Sequence, residues 1–113
     1  MVVGWNIELG ANTMANIDTA AATAFRNGTN YHNSNTEVHT DPDTGESRLR
    51  LWGNLIAWTT GNRKRLNICQ RGWDTRTTNS RLRALGVAIE HKRGKLYING
   101  QPASDTDTIT MEL

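Results

Sequence analysis

The chain has 113 residues, a hydrophobic fraction of 36% and a formal charge of +2. That length suits one domain with one modest core. No run approaches the roughly 18–20 apolar residues of a membrane helix, and the first ten residues lack the basic and apolar stretches of a secretory leader. The single cysteine, Cys69, excludes an intramolecular disulfide framework and fits a reducing compartment, so a soluble intracellular protein is expected.

In residues 1–13, Trp5, Ile7 and Leu9 alternate, which predicts a short strand or an extended arm. Ile17, Ala21, Ala24 and Phe25 then follow helical spacing. Asn16 or Asp18 can cap this helix and Asn27-Gly28 can end it. Thr29 to Asn35 is polar and reads as a loop. Thr36, Val38 and Thr40 alternate with Glu37 and His39, and Leu49 and Leu51 alternate with Arg48 and Arg50. Between them Asp41-Pro42-Asp43-Thr44-Gly45-Glu46 is a turn, so residues 35–52 form a predicted hairpin.

Leu55-Ile56-Ala57-Trp58 continues as an apolar strand, and Thr59-Thr60-Gly61-Asn62 turns the chain. Leu66, Ile68 and Gln70 alternate with Arg65, Asn67, Cys69 and Arg71, a strand with one basic face. Gly72 breaks it. A second helix is predicted over roughly 78–86, with Thr75 or Thr78 at its start and Gly86 at its end. Val87, Ile89, Leu96 and Ile98 flank His91-Lys92-Arg93-Gly94-Lys95 as a second hairpin. Residues 102–113 are either an edge strand through Ile109 and Met111 or a loose tail. The expected fold is α+β, a small single domain over 1–113. Its antiparallel sheet has about five strands and two short helices, in the order α-β-β-β-α-β-β.

The charge is unevenly placed. Residues 48–95 hold twelve Lys/Arg against Asp74 and Glu90, a net +10, while the remainder holds Arg26 against nine carboxylates, a net −8. Such asymmetry bears on partners rather than on fold, unless the acidic flanks fold back over the basic middle and neutralise it. On the second helix, Arg76, Asn79, Ser80 and Arg83 share one face, Thr78, Leu82 and Leu85 cover the opposite one, and Arg81 lies at the border. Arg, Asn and Ser near a helix start can bind phosphate oxygens or read base edges, although an ordinary solvated face has the same composition. No helix directly precedes this one, which argues against a helix-turn-helix. Arg65 and Arg71 on the basic strand and Arg93 and Lys95 in the second hairpin supply further cations for a polyanion. Trp52, Trp58 and Trp73 are interspersed. An exposed indole can stack a base, while burial is the commoner use of Trp.

Catalytic chemistry is weakly represented. His32, His39 and His91 are scattered, with no Cys or carboxylate at metal-ligand spacing, and no phosphate-binding loop is present. Neither catalytic residues, nor a metal, nor any cofactor is expected.

Four stretches occur in order: Ala24-Phe25-Arg26-Asn27-Gly28; Ser34-Asn35-Thr36-Glu37-Val38; Leu51-Trp52-Gly53-Asn54-Leu55-Ile56-Ala57; and Gly72-Trp73-Asp74-Thr75-Arg76-Thr77-Thr78-Asn79-Ser80-Arg81-Leu82. This succession resembles a set of small, uncharacterised proteins of tailed bacteriophages, with AFxxG, NTxV, LxGNxIA and GWxTxTTxxRL motifs. The resemblance spans about residues 20–100. The chain departs from the pattern at Trp52, where His is expected, and at Arg83, where Asn is expected. The resemblance implies a phage source and a small scale, without an activity. The leading expectation is a non-enzymatic phage accessory protein in the host cytoplasm, binding nucleic acid through Arg65, Arg71, Arg76, Asn79, Ser80, Arg83, Arg93 and Lys95. The alternatives are a host-directed inhibitor that binds a host protein, and a virion structural component. No membrane partner is expected.

Overall fold

The computed structural model describes residues 16–113, so the strand or arm expected over 1–13 lies outside the described residues. The first helix, α1, spans Ile17–Asn27. Of the two candidate caps it uses Asn16, whose Oδ1 accepts the Thr19 amide at 2.9 Å. Gly28 ends it at φ 71°, a left-handed position, with its N–H donating to Ala24 O. Asp18, freed from capping, reaches a different partner described below.

Five strands follow: β1 (Tyr31–Asn33), β2 (Thr36–Thr40), β3 (Ser47–Leu51), β4 (Asn54–Thr60) and β5 (Arg65–Ile68). Helix α2 (Arg76–Ala84) starts two residues earlier than the sequence suggests, capped by Thr75, whose Oγ1 accepts the Thr78 amide. Then come β6 (Ile89–Lys92), β7 (Lys95–Ile98), β8 (Gln101–Pro102) and β9 (Ile109–Glu112). The strands form two antiparallel sheets. One has six strands in the order β1-β2-β3-β4-β5-β9, the other three in the order β6-β7-β8.

The α+β class is as expected; the strand count is corrected upwards. Tyr31–Asn33 is a strand rather than part of a loop, and Gln101–Pro102 is a further one. Two or three residues carry too little periodicity to be read from sequence. The C-terminal stretch takes the first of its two expected forms. Ile109–Glu112 is the edge strand beside β5.

Period-two alternation gives the large sheet two unlike faces. A row of paired residues, Tyr31, Val38, Leu49, Ala57, Ile68 and Ile109, crosses all six strands on the inner face. Both helices pack there, and the buried core joins this row to Ala21, Phe25, Leu82, Leu85, Ile89 and Ile98, so the small sheet shares it.

Two arginines tie these layers together. Arg81 on α2 is only 9% exposed. Its guanidinium pairs with Asp18 on α1, and its Nε donates to Thr36 Oγ1 on β2 at 3.0 Å. Arg63, in the β4–β5 turn, donates to Phe25 O and Arg26 O at the end of α1 and to Gly45 O and Ser47 Oγ beside β3. Its planar fork satisfies helix-terminal carbonyls that α1 cannot satisfy itself.

Removing one partner of a buried ion pair leaves the other without compensation. Arg81→Ala is therefore expected to lose about 3 kcal/mol in urea unfolding. Asp18→Asn should cost a comparable amount, because it leaves the more deeply buried guanidinium without its carboxylate. A loss under about 1 kcal/mol for Arg81→Ala, the range of an exposed pair, would contradict this assignment.

Candidate nucleic-acid interface

Among the described residues, both helices lie on the inner face of the large sheet and none on its outer face. Its central row runs His39, Arg48, Trp58, Asn67 and Thr110 across five strands. A second row holds His32, Glu37, Arg50 and Leu55, and a third holds Thr60, Arg65 and Glu112. Residues 69–71 extend the line of β5 along β4. The Cys69 amide donates to Ile56 O at 2.9 Å and Arg71 Nε to Leu55 O at 2.8 Å. This places the Arg71 guanidinium over the Trp58 ring, 5.6 Å from its centroid, within cation–π range.

Among the residues expected to contact nucleic acid, Arg65 and Arg71 therefore lie on this outer face. Arg65 is exposed and pairs with Glu112 at 3.2 Å. The other six lie on the helical side or on the small sheet. Arg76 is exposed on the first turn of α2, Ser80 is half-buried, and Arg83 is exposed with Nη2 donating to Ile89 O at 2.7 Å. Arg93 and Lys95 are exposed in the β6–β7 hairpin. The eight residues do not form one surface.

Asn79 requires a correction. It does not share a solvated face with Arg76 and Arg83 but is 4% exposed. Its Nδ2 donates to Asp74 Oδ1 at 2.8 Å and its Oδ1 accepts Gln70 Nε2 at 2.6 Å. The loop between β5 and α2 folds back beside the helix and supplies polar partners, so a polar residue can be buried there. Asn79 is thereby removed from any nucleic-acid surface.

Flank-to-middle neutralisation is also visible. Arg48 pairs with Asp41, Arg65 with Glu112, and Arg81 with Asp18, each linking the basic segment to an acidic flank. Among the described residues, Arg50, Arg63, Lys64, Arg71, Arg76, Arg83, Arg93 and Lys95 have no such carboxylate partner, although Arg63, Arg71 and Arg83 bond backbone carbonyls. Arg48 and Arg50, outside the eight expected contact residues, also lie on the outer face. Their alternation with Leu49 and Leu51 already put them on the face opposite the core.

The turns at this end of the sheet are left-handed, as are those at Arg93 and Asn99 in the small sheet. Trp52 and Gly53, the two-residue turn between β3 and β4, have φ of 50° and 80°. Arg71 and Gly72 repeat this at 56° and 80°. Such turns favour Asn-Gly, and a left-handed non-glycine residue costs roughly 1–2 kcal/mol. A Cβ at Gly53 or Gly72 would meet nothing within 4 Å, so backbone conformation alone calls for glycine there. Trp52 and Trp73 are 55% and 52% exposed, whereas Trp58 is half-buried.

On the other side of the fold, Asp74 joins α2 to the small sheet, with the His91 imidazole 2.7 Å from its Oδ2. Partial burial works against its charged form, but the bonds from Asn79, His91 and Gln70 prevail and hold its carboxyl below the ordinary value of 3.8. A carboxyl depressed in the folded state stabilises above its unfolded pKa, and that contribution is lost as pH falls through the folded one. Wild-type stability should therefore decline more steeply than that of Asp74→Asn between about pH 5 and pH 2, read from urea midpoints. Parallel declines would contradict the network.

No curated protein and no solved structure matches the chain. A family model does match, over residues 14–112. It covers every described element and the whole outer face, and the chain belongs to the Kyanoviridae Gp96 protein family, a phage protein family.

Proposed function

We propose that this phage protein is a non-enzymatic accessory protein of the host cytoplasm that binds nucleic acid on the outer face of its six-stranded sheet. The observation that carries this reading is the Trp58–Arg71 stack at the middle of a face that no described helix covers, with Arg48 directly across the strand pair from Trp58. An aromatic platform flanked by guanidinium groups suits nucleic acid because bases stack on the ring while the cations neutralise phosphates. Arg48, Arg50, Arg65 and Arg71 supply the cations, opposed by Glu37 across from Arg50 and by the paired Asp41 and Glu112. The net field is modest, so the reading implies moderate affinity that depends on salt.

Arg76, Arg83, Arg93 and Lys95 are left outside this site. They lie on α2 and the small sheet, where no aromatic platform accompanies them except Tyr97 beneath Lys92. A second reading, docking on a host protein, draws on the exposed Trp52 and Trp73, since Trp and Arg dominate the energetics of protein interfaces.

Anisotropy titrations of labelled oligonucleotides at two salt concentrations test the proposal. Four phosphate contacts imply a log–log salt slope of about −3 to −4. Arg50→Glu with Arg71→Glu should weaken binding at least tenfold, while Arg93→Glu with Lys95→Glu should change it less than threefold. No binding at micromolar concentrations in low salt, or the reverse order of the two double variants, would overturn it.

A further inference from the structure

We infer that the nucleic acid taken by this face is single-stranded, and that Trp52 and Trp73 serve as additional stacking posts where the strand leaves the sheet. The inference rests on the nucleic-acid reading above and narrows its substrate class.

The topology brings the two exposed indoles to one end of the sheet. Trp52 lies in the turn that starts β4. Because β5 runs antiparallel to β4 and its continuation reaches Ile56 and Leu55, residues 71–73 leave the sheet at that same end. Neighbouring strands lie roughly 5 Å apart, so the two connections are adjacent. Trp58 sits four residues along β4 from Asn54, roughly 13 Å further on. Arg71 links the two groups. Its backbone forms the turn that leads to Trp73, and its guanidinium covers Trp58.

Trp52 occupies a left-handed turn position suited to Asn, and among the described residues neither Trp52 nor Trp73 belongs to the buried core or packs against it. The same left-handed residue before a glycine recurs at Arg71, Arg93 and Asn99, so it is the exposure of the two large indoles that points to a contact outside the molecule. Among nucleic acids, a duplex keeps the faces of its bases stacked on one another and presents phosphates and groove edges. A single strand offers free base faces to indoles and to guanidinium planes. Three aromatic posts together with Arg50 and Arg71 therefore favour a single strand over a duplex. Stacking accepts every base, so discrimination among sequences should be weak.

The test uses the whole chain with labelled dT20, rU20 and a 20-base-pair DNA duplex in low salt. Both single strands are expected to bind at least tenfold tighter than the duplex, and the ratio of dT20 to rU20 reports whether DNA or RNA is preferred. Trp52→Asn and Trp73→Ala should each weaken single-strand binding roughly 5- to 150-fold, the range for losing one base stack, and leave duplex binding unchanged. Trp52→Asn suits the turn, so its melting temperature should equal or exceed that of wild type, which separates lost contact from lost fold. Equal affinity for duplex and single strand, or unchanged single-strand binding by both Trp variants, would overturn the inference and leave the phosphate-binding face standing. The same holds if the two substitutions abolish a nuclease-resistant complex with a host protein while dT20 and rU20 bind as before. Failure of all three nucleic acids to bind would remove both readings together.

Discussion

The guanidinium of Arg81 is the joint on which the arrangement depends. A cation this deeply buried is tolerated only when opposite charge and hydrogen-bond acceptors surround it. Here they come from three separate pieces of chain: Asp18 on α1, Thr36 on β2 and Asn35 in the loop before it. Meeting all three at once sets α2 against α1 and seats both on the inner face of the sheet. Arg63 performs a similar task at the far end of α1, joining its last carbonyls to the strand that carries Ser47. Two of the twelve cations in the basic segment thus hold the molecule together rather than face a partner.

Among the described residues, this arrangement leaves a sheet covered by helices on one side. Alternation along each strand then separates the two chemistries without further device, apolar residues to the helices and polar residues to solvent. The outer face has charge and an aromatic centre, and the hollow lined by His32, Glu37 and His39 at its edge is open to solvent, which suits an extended ligand better than a small one. Its acidic neighbours moderate the field, and they explain why a segment with a net +10 does not become an equally strong positive surface.

Much of this was legible in the sequence where periodicity was long enough to act. Helix α1 with its Gly28 stop, the β2–β3 hairpin around Asp41-Pro42, and the apolar side of α2 all follow from spacing and turn chemistry. The charge map was legible as composition and misleading as geometry. Nothing near Arg81 in sequence announces Asp18, which lies 63 residues away. Asn79 looked solvent-facing because helical spacing cannot report that Gln70 and Asp74 fold back against it. The Trp58–Arg71 contact was hidden for the same reason, since it depends on the register of β4 with the continuation of β5. The motifs that carried the phage resemblance include Phe25, Asn35, Thr36 and Arg81, so much of their content concerns the joints of the fold.

The central claim is that one face of the sheet, and not the clustered charge as a whole, meets the partner. Amide and indole chemical shifts of the labelled protein titrated with a short single-stranded oligonucleotide test it most directly. Shifts are expected to concentrate on β3, β4, residues 65–73 and the Trp58 indole N–H, with α2 and the β6–β7 hairpin nearly silent. Shifts centred on Arg76, Arg83, Arg93 and Lys95, with the outer face unchanged, would contradict it.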